Sequence, residues 1–211
     1  MTLEEKTAHE LVRRRCDQRA YWKLCDFDAM LREEATRQNL VAASTLDHLW
    51  ARHFVDSVQV VDHVGGIGAD PILLDLGSGA GLPGLVLAII RPDWRVTLIE
   101  SRRLRIEWLE RAAGALGCGN VSVEGRNLTQ VRSIKADIIT ARAFAPMPRL
   151  LSLSSRFSTP TTAWVLPKGR TAAQEVTELP IELQGMFHVE QSLSDPDAGV
   201  IVGHGQVRVD R

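Results

Sequence analysis

Lysine is scarce in this chain: of 25 basic residues only Lys6, Lys23, Lys135 and Lys168 are lysine. Tyrosine occurs once, at Tyr21. The three cysteines, Cys16, Cys25 and Cys118, match no metal or redox spacing. So odd and sparse a set excludes a disulfide framework and predicts reduced thiols in a cytoplasmic protein. The six histidines make no H-x-x-x-H pair, so no metal site is expected. No apolar run approaches the roughly 20 residues of a membrane span. The stretch Met1-Thr-Leu-Glu-Glu-Lys6 lacks the charged-then-apolar pattern of a secretory leader.

What is present belongs to a globular protein. The chain has 211 residues, 45% of them hydrophobic and 24% charged. That is enough for one α/β domain with a sizeable core and an extension. The formal net charge is −1, which excludes a uniformly basic polyanion binder. Its cations are nevertheless mostly arginine, clustered at Arg13-Arg14-Arg15, at Arg102, Arg103 and Arg105, and at Arg142 with Arg149. Arginine binds phosphate bidentately and stacks on bases, so a local RNA-facing patch is compatible with a near-neutral whole.

The most informative stretch is Ile72-Leu-Leu-Asp75-Leu-Gly77-Ser-Gly79-Ala-Gly81-Leu-Pro83-Gly84, followed by the apolar run Leu85 to Ile90. It reads as buried strand, tight glycine turn and helix start. That arrangement offers free backbone N–H groups to a nucleotide-like ligand at the carboxyl end of a parallel sheet. Two frames fit. Gly79-x-Gly81-x-x-Gly84 matches the dinucleotide pattern. Asp75-x-Gly77-x-Gly79-x-Gly81 matches the loop that holds S-adenosylmethionine (SAM) in class I methyltransferases. The second is preferred, because a carboxylate at Asp75 suits the cationic amino group of SAM and repels a pyrophosphate. Nineteen residues beyond Gly81, Glu100 ends the next apolar run, where an acid accepts the ribose hydroxyls of either ligand.

Residues 1–68 read as a helical extension. Trp50, Phe54 and Val58 share one face there, and Arg52 and Asp56 are spaced to pair four apart. His53 reads as a hydrogen-bonded structural histidine. Gly65-Gly66-Ile-Gly68 marks a boundary, and residues 69–211 form the ligand-binding domain. In that domain Arg91-Pro92 stops the first helix, and Arg102 to Leu116 is an amphipathic helix closed by Gly117. Strands follow at Val121–Val123, Asp137–Ala141 and Ala163–Leu166. The next helix is Thr171 to Leu179. A final strand pair, Phe187–Val189 and Val200–Val202, is expected to give an antiparallel edge to a mainly parallel sheet. Asn127-Leu128 falls at the sheet end where adenine would lie. Arg142 falls at a strand's carboxyl end, where open α/β sheets gather their ligands.

Taken in order, Asn39-Leu-Val, Arg52-His53-x-x-Asp56-Ser57, Asp75-Leu-Gly-Ser-Gly-Ala-Gly-Leu-Pro-Gly84, Ala141-Arg142-Ala-Phe144-Ala145 and Pro167-Lys168-Gly169 resemble the RsmG family, also called glucose-inhibited division protein B. The likeness is strong over about residues 24–170. It implies a Rossmann-like methyltransferase fold with an N-terminal helical cap, SAM as methyl donor, and N7 of a guanine in the 530 loop of 16S rRNA as acceptor. The partner it implies is therefore 16S rRNA or the small ribosomal subunit, with a monomer favoured. By position it gives Gly77, Leu82, Asn127, Leu128 and Arg142 as SAM contacts, beside the Asp75, Gly79 and Glu100 already read from the motif. The family's adenine-side pair is usually a small or branched residue and a glutamate, so contacts at Asn127-Leu128 are expected through the backbone. Arg142 is the expected positioning residue, either at guanine O6 or at the SAM carboxylate. Phe144 either stacks on the target base or packs in the core. Arg52, Lys168 and Arg170 are assigned to RNA phosphate. N7 chemistry needs no general base, and the sequence offers no triad. Two other functions fit less well: an NAD-dependent oxidoreductase using Gly79–Gly84, for which no substrate domain with a relay His or Tyr follows, and a SAM-binding module without activity.

Overall fold

Side chains alternate between the two faces of a strand, so a strand covered by helices on both sides must be apolar throughout. The central strands of this chain follow that rule over most of their length, and the edge strands do not, in a computed structural model that describes residues 3–208. The outermost residues of the two predicted segments, 1–2 and 209–211, lie outside the described residues. In β1 (Ile72–Leu76) Leu73 enters one core cluster, while Leu74 and Leu76 enter the other. The same division separates Leu98 from Ile99 in β2 (Arg95–Glu100), Ile138 from Ile139 in β4 (Ile138–Thr140), and Val165 from Trp164 and Leu166 in β5 (Ala163–Gly169). With β3 (Val121–Gly125), β6 (Phe187–Gln191) and β7 (Gly199–His204), these make one seven-stranded sheet ordered β3-β2-β1-β4-β5-β7-β6. Strands β1 to β5 pair in parallel, and β7 lies antiparallel between β5 and β6. The predicted antiparallel edge is there, with β6 outermost.

One face of the sheet carries α4 (Gly84–Ile90) and α5 (Arg103–Ala115), which are covered in turn by the amino-terminal helices α2 (Gln18–Glu34) and α3 (Val55–Val58), with α1 (Glu5–Arg13) packed on these two. Leu24, Phe27, Leu31, Phe54 and Val58 belong to the same core cluster as Leu85, Leu98 and Leu109. Asp17 starts α2 by accepting the Ala20 N–H at 2.7 Å, which satisfies one of the free amides at the helix start. The opposite face is covered by α6 (Met147–Ser154), α7 (Ala172–Thr177) and α8 (Ile181–Gln184), with Trp164, Phe157 and Phe187 beneath. The sequence reading had no helix at 147–154. A proline opens that helix, as it does best in the first turn, but its apolar run is too short to announce itself by period.

The cap departs from regular helix where it meets the sheet. Trp50–Phe54 is a π-helical turn, flanked by 3₁₀ turns at Ala43–His48 and Gln59–His63. A π turn takes more residues per revolution, so positions four apart no longer lie one above the other. Arg52 accordingly does not meet Asp56. It pairs with Asp195 at 3.0 Å, while Asp56 pairs with Arg142 at 3.4 Å. Trp50, Phe54 and Val58 are all buried, as expected.

Candidate cofactor and substrate clefts

The glycine loop between β1 and α4 is fastened by two carboxylates. Glu100, the last residue of β2, accepts the N–H groups of Gly79 at 3.1 Å, Ser101 at 2.7 Å and Arg102 at 2.9 Å, and it also faces a cleft. Asp75 is fully buried beneath the loop and accepts the Gly84 N–H at 3.1 Å through Oδ2. Two glycines are obligatory here. A Cβ on Gly84 would stand 2.5 Å from that Asp75 oxygen, and one on Gly77, whose φ is +70°, would stand 2.5 Å from the Phe144 ring. The indole N–H of Trp108 donates to the Ala80 carbonyl at 3.1 Å, which ties α5 to the same loop.

The other Asp75 oxygen, Oδ1, is buried without a partner. Burial pushes this carboxyl up to about 7, although the Gly84 N–H and the charge of Arg142 pull the other way. A buried acceptor left unpaired is costly, and a cationic group brought to it relieves that cost. An ammonium group is the ligand chemistry that suits this oxygen, but Asp75 lies under the loop and, like Gly79 and Gly81, lines neither cleft. Of the expected SAM contacts, Gly77, Glu100, Asn127 and Leu128 line one cleft and would hold the cofactor there.

The cleft on this side has a volume of ≈ 450 Å³ and is lined by Gly77, Glu100, Asn127, Leu128 and Phe144. Arg102, Arg105, Arg126 and Arg149 line it too, so its walls are strongly basic. Arg105 sits 4.0 Å from Glu100 and donates to the Asn39 carbonyl at 3.2 Å, which links the Asn39-Leu-Val segment of the cap to the cleft. The Asn127 side-chain oxygen accepts the N–H and hydroxyl of Thr129, capping a short turn, so it is already engaged. Leu82 lies elsewhere: it is buried in the core beneath the loop and lines neither this cleft nor the next.

A second cleft of ≈ 720 Å³ lies on the other side of the Ala143–Ala145 loop, whose three residues line both. Arg52, Asp56, Arg142, Lys168, Arg170 and Asp195 line this one. Its arginines are held by carboxylates distant in sequence: Arg142 by Asp56, Arg52 by Asp195, and Arg170 by Asp197 at 3.1 Å. Asp56 also accepts from the Ser194 hydroxyl at 3.2 Å, so the loop after β6 braces the cap. Arg170 is 71% exposed along its side chain and reaches solvent. Lys168 does not, at 7%: its ammonium donates to the Ala145 carbonyl at 2.6 Å and to Glu175 at 2.8 Å. Ala143 stands at φ +50°, a left-handed conformation that costs an L-residue about 1–2 kcal/mol. His53 bonds Thr45 through Nε2 at 2.8 Å, and its Nδ1 is buried without a partner. Burial and the charges of Arg142 and Arg52 push its pKa down to about 3, so it is neutral near pH 7 and far too weak a base to take a proton there. Asp56 stands in the quoted motif with another expected partner, and nothing local in the sequence marks Glu175, Ser194 or Asp195 as part of this cleft. Among the described residues no group of three or more His, Cys, Asp or Glu is placed to hold a metal, and no helix is long and apolar enough to cross a membrane.

This sheet order, glycine loop and terminal acid define a SAM-dependent methyltransferase of class I. A SAM-dependent methyltransferase from Aquifex aeolicus has the same fold, with a TM-score of 0.58 at 16% identity, covering 85% of this chain and 98% of its own. One from Methanococcus maripaludis does so as well, with a TM-score of 0.58 at 11% identity over 79% and 91%. The particular family comes from sequence. The family model "rRNA small subunit methyltransferase G" (GidB) matches residues 20–195, and the chain belongs to that family. The protein of that name from Erythrobacter litoralis is 46% identical over 99% of this chain and 100% of its own length. That of Novosphingobium aromaticivorans is 53% identical over 82% and 76%. The cofactor of the family is SAM, so the dinucleotide reading of the chain falls away.

Proposed function

We propose that this protein transfers a methyl group from SAM to N7 of a guanine in the 530 loop of 16S rRNA, in the cytoplasm and as a monomer. The observation that carries the reading is a pair of clefts meeting at the Ala143–Ala145 loop. One is fastened by Asp75 and Glu100 around a glycine turn and has four arginines on its walls, and the other has Arg52, Arg142 and Arg170, each paired with an aspartate. Bound SAM supplies a methyl group already activated on a sulfonium. Guanine N7 carries a lone pair and no proton, so the chain needs no general base, in keeping with a neutral, buried His53. What its residues supply is alignment and exclusion of water, and alignment alone is worth about 7–11 kcal/mol of barrier. Arg142 stands in the arginine-lined cleft with its charge felt at Asp75. There it orients the acceptor by hydrogen-bonding guanine O6, the neighbour of N7 on the same edge. Arg52 and Arg170 face the RNA phosphates. The four arginines of the cofactor-side cleft, with the exposed Arg170 beside the second, support an RNA acceptor.

The test is methyl transfer from labelled SAM to unmodified small ribosomal subunits and, in parallel, to protein-free 16S rRNA, with the product mapped by cleavage at 7-methylguanine. Label at one guanine of the 530 loop is expected. Label elsewhere, or none with SAM binding intact, would overturn the acceptor while leaving the cofactor in place.

A further inference from the structure

The loop that separates the two clefts has an unfavourable backbone and is held from behind. Ala143 is left-handed without being glycine, and the Phe144 ring lies against Gly77. Something must hold this geometry, and the contacts converge on one side chain. Glu175, in α7, accepts from the Lys168 ammonium at 2.8 Å and from the Met147 N–H at 2.9 Å through the same oxygen, Oε2. Its other oxygen accepts from the Thr171 hydroxyl at 3.0 Å. Lys168 in turn donates to the Ala145 carbonyl at 2.6 Å. The loop is thus gripped at Ala145 and at Met147, on either side of Pro146, by one buried ion pair rooted in β5 and α7. The Lys168 and Glu175 side chains are only 7% and 15% exposed, so the charges are strongly felt and the geometry narrowly set.

We infer that Glu175 is a positioning residue for methyl transfer: with Lys168 it fixes the Arg142–Pro146 loop so that Arg142 and Phe144 stand correctly between cofactor and acceptor. Lys168 serves this clamp and not RNA phosphate. The inference rests on the functional reading above, and it has these residues, which line the acceptor cleft, act through the loop they hold.

The experiment reads loop position and turnover separately. The protein is labelled with fluorophenylalanine, and the Phe144 resonance is assigned by its disappearance in Phe144→Leu. In Glu175→Gln that resonance is expected to shift or broaden, and kcat to fall by about 10- to 10²-fold, the scale on which small misplacements act. KM for SAM and for the ribosomal substrate should stay within about threefold, as a defect confined to the chemical step requires. Thr171→Val removes one hydroxyl contact from Glu175 at an exposed position. It should move both readouts the same way, with kcat lower by about 2- to 10-fold. It also keeps the test open if Glu175→Gln does not fold. Lys168→Met should add little to Glu175→Gln in the double variant, because the two act as one unit. A Phe144 resonance unmoved in both Glu175→Gln and Thr171→Val overturns the inference. So does a displaced resonance with unchanged kcat. Absence of transfer by the wild-type protein defeats instead the functional reading on which it rests.

Discussion

The two clefts are built by opposite means. The glycine loop of the cofactor side is local: Asp75, Gly77, Gly79 and Gly84 fall within ten residues, and their partner Glu100 ends the adjacent strand. Its strength lies in backbone N–H groups received by carboxylates. The arginine-lined side is assembled from the cap, the β4–α6 loop, β5 and the loop before β7, through ion pairs such as Arg142–Asp56 and Arg52–Asp195. The first construction tolerates little change at few positions. The second spreads its demands over many, each of modest worth. A site that must hold one small molecule in one pose is served by short rigid turns, whereas a site that reads a large acceptor is served by side chains with reach.

The largest effect should come from the cofactor side. Gly77→Val places a side chain on the Phe144 ring at a positive φ, and the strain of about 1–3 kcal/mol, with the clash added, should lower SAM affinity at least tenfold by calorimetry. A near-normal dissociation constant would mean that the loop yields, and the contrast between the two sides would weaken. Arg142→Ala comes next. It removes a charged hydrogen-bond donor worth about 1.5–3 kcal/mol, so methyl transfer should drop by about 10- to 10²-fold while SAM affinity holds. Normal turnover with normal SAM affinity would remove Arg142 from the site.

A third prediction concerns pH. The folded Asp75 carboxyl titrates at about 7 against 3.8 for the ordinary group. Between those values the folded protein binds more protons than the unfolded chain, so this group's contribution to stability falls as pH rises and levels off above 7. Asp75→Asn removes the dependence. Its melting temperature should gain on the wild type as pH goes from 4 to 7, with no further gain beyond. Over part of that range His53 acts oppositely. Its pKa of about 3 against 6.5 costs stability as pH falls, but it is common to both proteins and cancels in the difference. In the wild type, SAM affinity should rise with pH through about 7 as the ionised carboxylate becomes available. A flat profile would show that Asp75 does not meet the ammonium. The smallest effect is on the RNA side. Arg170→Ala should weaken ribosomal-RNA binding evenly and reduce the slope of log affinity against log salt by about 0.7–0.9, the value of one phosphate contact.

Legibility in the sequence follows the same divide. The strands, the glycine loop, Glu100 and the antiparallel edge were readable because each is a local pattern: a short apolar run bounded by turn residues, a turn that only glycine allows, a carboxylate at a strand end. The expected pairing of Arg52 with Asp56 was not realised, because a π turn at Trp50–Phe54 changes which side chains share a face. Lys168, read as a phosphate ligand, is turned inward onto Ala145 and Glu175. Leu82 lies in the core and away from both clefts.

The sequence alone determined the sheet, the cofactor loop with its two acids, and the family to which the chain belongs, since each is written in consecutive residues whose spacing dictates their geometry. Only the tertiary structure decided the partners of the charges. Arg142 faces Asp56 across 86 positions, and Arg52 faces Asp195 across 143. Which carboxylate an arginine meets depends on how helices dock on a sheet, and that docking is settled by the whole apolar core at once, not by any stretch of the chain.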